Sequence, residues 1–207
     1  MEKNVKLTKK VLITLGREYG SAGHIVAERL GRKLDIPVFD KNLITIIAKK
    51  HGLDESTLLS SDERIGSLFF DSYAPYGPES GSVSERLFIM QSNIIKQEAD
   101  KGSAIFVGRC ANDILRKYDD VLNFFIFAPK AARISYIMEA DDIADAAAAE
   151  KIIRRMDKAR RNYYQFYTDM KWGSTDGMDM LLNSASLGLD GCVEAIEHYL
   201  VLRGYAE

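Results

Sequence analysis

The tightest constraint in this sequence is an apolar run that stops at a glycine and passes directly into a helical pattern. Val11-Leu-Ile-Thr-Leu15 has the composition of a buried strand, and Gly16 interrupts it. Ile25, Val26, Ala27, Leu30 and Leu34 then recur at the spacing of one helix face, so the segment reads as strand, glycine turn, helix. Ile36-Pro-Val-Phe39 predicts a second short strand, and Leu43, Ile44, Ile47 and Ala48 give an apolar face to a helix from Lys41 to His51.

Two later segments, Ala104-Ile-Phe-Val107 and Val121-Leu-Asn-Phe-Phe-Ile-Phe127, are continuous apolar runs of strand length, as expected of parallel strands covered on both faces. A last short strand around Met180-Leu-Leu182 and a closing helix from Asp190 to about Leu202 complete the alternation. The fold class expected is α/β, a three-layer parallel sheet flanked by helices. From Gly66 to Ser84 periodicity gives way to Gly, Pro, Ser and Tyr, which predicts a long loop. Leu87, Met90, Ile94 and Ile95 then predict a helix from about Glu85 to Asp100.

A chain of 207 residues has room for one substantial core, so a single domain is expected. With 28 Lys and Arg against 30 Asp and Glu, no global field favours a nucleic-acid partner, and any anion site must be local. Cys110 and Cys192 stand far apart and suggest neither a disulfide framework nor a zinc spacing. No apolar run nears the roughly 20 residues that span a bilayer, and Met1 to Lys10 is polar. The expectation is a soluble cytoplasmic protein with neither nucleic acid nor membrane as partner.

The turn Gly16-Arg-Glu-Tyr-Gly20-Ser21-Ala22-Gly23-His24 lies where glycines let backbone amides gather round an anion. Glycine used only for turn geometry is the alternative. The widespread phosphate-loop pattern has Lys and then Ser or Thr after its last glycine. Here His24 and Ile25 hold those places. His24 is either a phosphate hydrogen-bond donor or a helix-surface residue. Arg17, at the other end of the turn, is either the missing permanent cation or a solvated side chain.

Gly20-Ser-Ala-Gly23, Ile36-Pro-Val-Phe-Asp40-Lys41, Phe106-Val-Gly-Arg109-Cys-Ala111 and Phe125-Ile-Phe-Ala128 form an ordered set of landmarks, continued by Asp157-Lys-Ala-Arg160, Tyr163-Tyr164, Tyr167-Thr168 and Trp172. Together they resemble the cytidylate kinase-like family, relatives of the P-loop nucleoside monophosphate kinases, along nearly the whole chain. The resemblance implies a helical acceptor-binding insertion at about 52–102 and a helical lid region at about 141–171. It also implies that Asp40 and Arg109 line the acceptor site. Asp40 as a helix cap and Arg109 in a structural salt bridge are the alternatives. Val107 stands where related kinases carry an acidic residue.

From Lys151 to Lys171 there are seven Lys or Arg and two Asp. Ile152, Met156, Ala159, Tyr163 and Phe166 form an apolar stripe, which leaves Arg154, Lys158 and Arg161 on another face. The resemblance implies that Arg160, with Arg154 and Arg161, closes over transferring phosphates; a solvated face laced with ion pairs is the alternative. Asp157 is a candidate to orient Arg160 or Arg161. Tyr163, Tyr164 and Tyr167 read as packing before base stacking, and this face is a candidate homodimer interface.

The function expected is transfer of the ATP γ-phosphoryl group to a nucleoside monophosphate or other small phosphorylated acceptor. Gly20, Ser21, Ala22 and Gly23 would cradle the donor. ATP and Mg²⁺ are the implied cofactors, with no metal ligand identified. The alternative is a nucleotide or phosphate sensor of the same fold that has lost transfer.

Overall fold

A computed structural model describes residues 5–40, 42–51 and 78–207. Strands β1 (Leu12–Arg17), β2 (Val38–Phe39), β3 (Ala104–Val107), β4 (Val121–Phe127) and β5 (Met180–Asn183) form one sheet in the order β2-β3-β1-β4-β5. Every pairing is parallel. β1 is the centre, with Ile13 opposite Ile105 on one side and Leu122 on the other.

Alternation along β1 divides the interior in two. Ile13 and Leu15 pack with Ile105, Val107, Phe124 and Ile126 beneath α1 (Gly23–Leu34) and α7 (Ser184–Leu202). Leu12 faces the opposite way and joins Phe39, Ala104 and Phe106 beneath α2 (Asn42–His51) and α3 (Pro78–Lys101). These are the three layers expected, a sheet between two helical faces. A short α4 (Ala111–Ile114) follows β3 on the second face, and α5 (Lys130–Ala140) packs on α6 (Ala146–Thr168).

Several boundaries differ from expectation. Residues 78–84 are helical, so α3 begins at Pro78, about seven residues before the predicted start. Proline suits a first helical position because its φ is pre-set and its missing N–H has no partner to lose. The rest of the predicted 66–84 loop, and Lys41, lie outside the described residues. α7 begins at Ser184 and is broken at Gly188 (φ 69°, ψ 174°), so the sequence pattern from Asp190 captured only its second part. The stripe on α6 agrees with expectation at Ala159, which is buried, but otherwise shifts: Ala149, Ile153, Asp157 and Tyr164 are buried, whereas Phe166 is 56% exposed. A charged Asp157 on the buried face cannot be anticipated from hydrophobic spacing.

Leu7 and Ala206 form an antiparallel bridge, with Lys6 N donating to Glu207 O and Glu207 N to Lys6 O. It lies toward the amino edge of the sheet, where Tyr205 and Ala206 close the first core.

Ile13 is fully buried in the central strand, so Ile13→Ala is expected to destabilise the domain by about 2–5 kcal/mol. Urea denaturation checks this as a lowered midpoint with an unchanged slope.

Candidate functional site

All five strands run the same way, so the segments after them meet at one carboxyl edge. β1 and β3 are neighbours whose continuations leave toward opposite faces, α1 to the first core and α4 to the second. The crevice of an open α/β sheet opens at such a divergence. Here it lies between the glycine turn and the Gly108-Arg109-Cys110 turn.

Arg17 ends β1 and occupies this crevice. Its Nη2 donates to Asp40 Oδ1 at 3.2 Å, and its main-chain carbonyl accepts from Arg160 Nη1 at 2.9 Å. Its guanidinium lies against the Cα of Gly108, where any Cβ would collide with Nη1. At Gly23 a Cβ would come within 2.6 Å of the Arg17 Cβ, so close approach requires that glycine, whereas at Gly108 the φ of 71° does. Asp40 is therefore paired with Arg17 through Oδ1.

Burial lowers the Arg17 pKa, Asp40 opposes that shift, and the charge of Arg109 adds to it. Burial likewise lowers the Arg160 pKa, and Arg17 again contributes by repulsion. Arg17 thus sits within electrostatic reach of both other arginines, and Asp40 is the carboxylate that faces both Arg17 and Arg160. Arg17, Arg109 and Arg160 bring positive charge to this crevice, with Asp40 and Asp157 as carboxylates acting on it among the described residues, and a local concentration of positive charge favours an anion.

The turn that carries Arg109 is conformationally costly. Gly108, Arg109 and Cys110 have φ of 71°, 56° and 56°, three successive left-handed residues of which two have side chains. A non-glycine residue held there costs about 1–2 kcal/mol. Such strain collects where direction matters more than ease. Cys110 is buried, and burial raises its thiol pKa far above the ordinary value, so it is a packing residue rather than a nucleophile.

The glycine turn presents amides at the start of α1. Ala22 caps the helix in the left-handed region (φ 54°) and makes no side-chain hydrogen bond to its first turn. The Ser21 hydroxyl is buried against the Glu18 and Ile126 carbonyls at 2.9 and 3.2 Å, and the Ser21 carbonyl accepts from Ser184 Oγ at 2.9 Å. It holds the loop instead of facing a ligand. His24 is exposed on α1.

Arg133 on α5, which the sequence reading missed, fastens the turn to α6. Its Nη1 donates to the Tyr19 carbonyl at 3.2 Å and to Asp157 Oδ2, and its Nε lies 3.4 Å from Glu18 Oε2. Asp157 Oδ1 also accepts from Tyr19 N at 2.8 Å, so this carboxylate binds Arg133 and the loop rather than orienting Arg161. Arg160 follows Asp157 by three residues and is carried to the Tyr19 ring and the Arg17 carbonyl. Arg154 is tied to Glu150 on the exposed face of α6, and Arg161 is exposed there too. Of the three arginines proposed on this helix, Arg160 is the one that reaches the crevice, through its hydrogen bond to the Arg17 carbonyl. A single arginine one turn into the helix after β4 is a weak sequence signal, which is why Arg133 escaped notice.

The tyrosines pack. Tyr167 stacks on Phe88 at 3.9 Å between centroids, Tyr163 donates to Gln91 Oε1, and the Tyr164 hydroxyl accepts from Asn112 Nδ2. Trp172 meets Phe125 edge-on at 5.3 Å. Among the described residues no group of three His, Cys, Asp or Glu side chains is placed to hold a metal ion. Asp40 and Glu18 are committed to arginines, and Glu18 Oε2 also accepts from Ala128 N.

A parallel sheet with a glycine turn after its central strand and arginines gathered around that turn defines a kinase-type domain of the P-loop fold. The chain belongs to the cytidylate kinase-like family, whose model matches residues 12–186. Among solved structures it is similar to an uncharacterized protein from Eubacterium ventriosum, with 27% identity over 93% of this chain and 99% of that one and a TM-score of 0.72. A shikimate kinase from Bacteroides thetaiotaomicron shares the fold at 14% identity, covering 92% and 98% of the two chains with a TM-score of 0.52. A sugar kinase from Janibacter does so at 13%, covering 94% and 96% with a TM-score of 0.50. Comparison with curated protein sequences gives no match. Among the described residues no helix is long and apolar enough to cross a membrane.

Arg133→Ala strands the buried Asp157 carboxylate, so a loss of about 3–5 kcal/mol is expected. Arg154→Ala breaks only an exposed pair and should change stability by no more than about 0.5 kcal/mol. Chemical denaturation of the two variants side by side distinguishes a structural clip from a surface ion pair. Inorganic tripolyphosphate at about a hundred times its dissociation constant should stabilise the protein by about 2.7 kcal/mol. Arg109→Gly should lose most of that gain while matching or exceeding the unliganded protein in melting temperature, because it relieves a left-handed residue.

Proposed function

We propose that this protein transfers the γ-phosphoryl group of ATP to a nucleoside monophosphate or another small phosphorylated acceptor. The observation that carries the reading is the gathering of Arg17, Arg109 and Arg160 at the carboxyl edge of β1 and β3, with Asp40 paired to Arg17 and facing Arg160. Family membership and the kinase folds among its structural neighbours support it.

In this reading the amides from Gly20 to Gly23 receive the donor phosphates at the start of α1, where the helix dipole favours anions. Arg109 holds the acceptor phosphate from its strained turn, and Arg17 supplies permanent positive charge to the donor phosphates from beneath the glycine turn. Asp40 fixes the Arg17 fork, so that guanidinium direction does not have to be found again in each cycle. Arg160 spans the two phosphate groups and stabilises the charge that spreads over the transferring phosphoryl oxygens. Arg133 and Asp157 set the height of Arg160 above the glycine turn by pinning α6 to Tyr19. No step is assigned to a metal ion.

A second reading has its own observation. His24 and Ile25 replace the phosphate lysine and the hydroxyl residue, and the nearby Ser21 hydroxyl is spent inside the loop. A domain so equipped would bind nucleotide without transferring phosphate.

Incubation with γ-labelled ATP across a panel of nucleoside monophosphates separates the two. Label should appear on one acceptor, and Arg160→Ala should lower kcat by about a hundredfold or more with a smaller change in KM. Thermal stabilisation by ATP with no label transferred to any acceptor would establish the sensor instead.

A further inference from the structure

Tyr19, in the glycine turn, directs every part of itself at α5 and α6. Its amide donates to Asp157 Oδ1 at 2.8 Å, and its carbonyl accepts from Arg133 Nη1 at 3.2 Å. Its ring packs on the cluster of Ile137, Ala149 and Ile153, with the hydroxyl 3.5 Å from Asp141 Oδ2. The same ring faces Arg160, whose guanidinium carbon stands 5.4 Å from the ring centroid. Almost any residue at position 19 would make the two backbone bonds. They leave the aromatic side chain unexplained.

The explanation lies in how Arg160 is held. Burial and then the charge of Arg17 bring its pKa down to about 9. Buried charges are ordinarily paired with a group of opposite sign. Asp157 and Asp40 do act on Arg160 through their charge. Asp157, however, gives its two oxygens to Arg133 and the Tyr19 amide, and Asp40 gives Oδ1 to Arg17. The groups that hold the Arg160 guanidinium are neutral: the Arg17 carbonyl at 2.9 Å and the Tyr19 ring. That difference matters to an arriving anion. A carboxylate in contact would cancel the charge the anion needs, whereas the face of a ring attracts a cation through its quadrupole and leaves the charge whole. Burial and the charge of Asp141 raise the Tyr19 phenol pKa, so the ring stays neutral around pH 7 and does not act as a phenolate.

We propose that the Tyr19 ring is a positioning element for Arg160, holding it beside the glycine turn by an attraction that leaves its charge available to a polyphosphate bound there. This rests on the kinase reading for the nature of the ligand. Tyr19 acts through Arg160 and touches no phosphate itself.

The probe is inorganic tripolyphosphate, titrated by calorimetry into the whole protein, with melting temperature recorded for each variant. Position 19 is changed to Phe, to Phe bearing one, two or three ring fluorines, and to Leu. Phe removes the hydroxyl, the fluorines drain negative charge from the ring face at nearly constant shape, and Leu removes the face. Tyr19→Phe should bind within about twofold of wild type, because a 3.5 Å hydroxyl contact is too long to count for much. Affinity should then fall stepwise with fluorination, and Tyr19→Leu should lose roughly threefold to thirtyfold, the span of a cation held by an aromatic face. In an Arg160→Ala background the dependence on fluorine should vanish. A flat fluorinated series, an equally steep one without Arg160, or a loss in Tyr19→Phe as large as that in Tyr19→Leu overturns the proposal, and the first two outcomes do so whether or not Tyr19→Leu folds. Where wild type transfers label from ATP, kcat should follow the same order with a smaller change in KM. A stepwise series with no transfer overturns the kinase reading and leaves the role of Tyr19 standing; transfer with a flat series does the reverse.

Discussion

Arg17 is the residue on which the site is assembled. Its carbon stem lies under the glycine turn at Gly23, its guanidinium under Gly108, its fork against Asp40 and its carbonyl under Arg160. Four segments distant in sequence are brought to one side chain. Arginine suits this because it cannot shed its charge as readily as lysine and because its planar fork holds direction. Burial makes that charge expensive, and Asp40 offsets only part of the expense. Holding three guanidinium groups near one another is a state that the rest of the fold must maintain against relaxation.

Two devices provide that resistance. The first is covalent geometry: β3 ends in three left-handed residues, which aim Arg109 in a direction an ordinary turn would not. The second is the Arg133 clip, which ties α5, α6 and the glycine turn through Asp157, Glu18 and the Tyr19 backbone. Both lie beside the crevice and make it rigid. Neither adds to the cores beneath the sheet, which supply the stability that such local strain consumes.

Much of the architecture was legible in the sequence because buried parallel strands announce themselves as unbroken apolar runs. Ala104–Val107 and Val121–Phe127 were read to the residue. Boundaries set by backbone chemistry were less visible: Pro78 starts a helix inside a stretch that resembles loop, and Gly188 splits one that periodicity joins only in part. At the site, the glycine turn brought attention to Arg17 and the ordered landmarks to Asp40, Arg109 and Arg160, which the structure gathers. Arg133 and the Tyr19 side chain carried no comparable signal. Their importance comes from long-range partners, Tyr19 and Asp157 for one and Arg160 for the other, which a linear pattern does not encode. Asp157 was noticed for Arg160, whose charge it does face, but its contacts with Arg133 and the Tyr19 amide were not, because neighbours one turn away on a helix are evident and a residue on a different helix is not.

The bridge between Leu7 and Ala206 has a practical corollary. It lies behind the sheet, at the opposite end of β1 from Arg17, and six residues of extended chain put roughly 20 Å between the two edges. A fluorophore, a bead or a fused reporter attached near Lys6 or Glu207 would therefore stand behind the molecule and leave the mouth of the crevice open to solution.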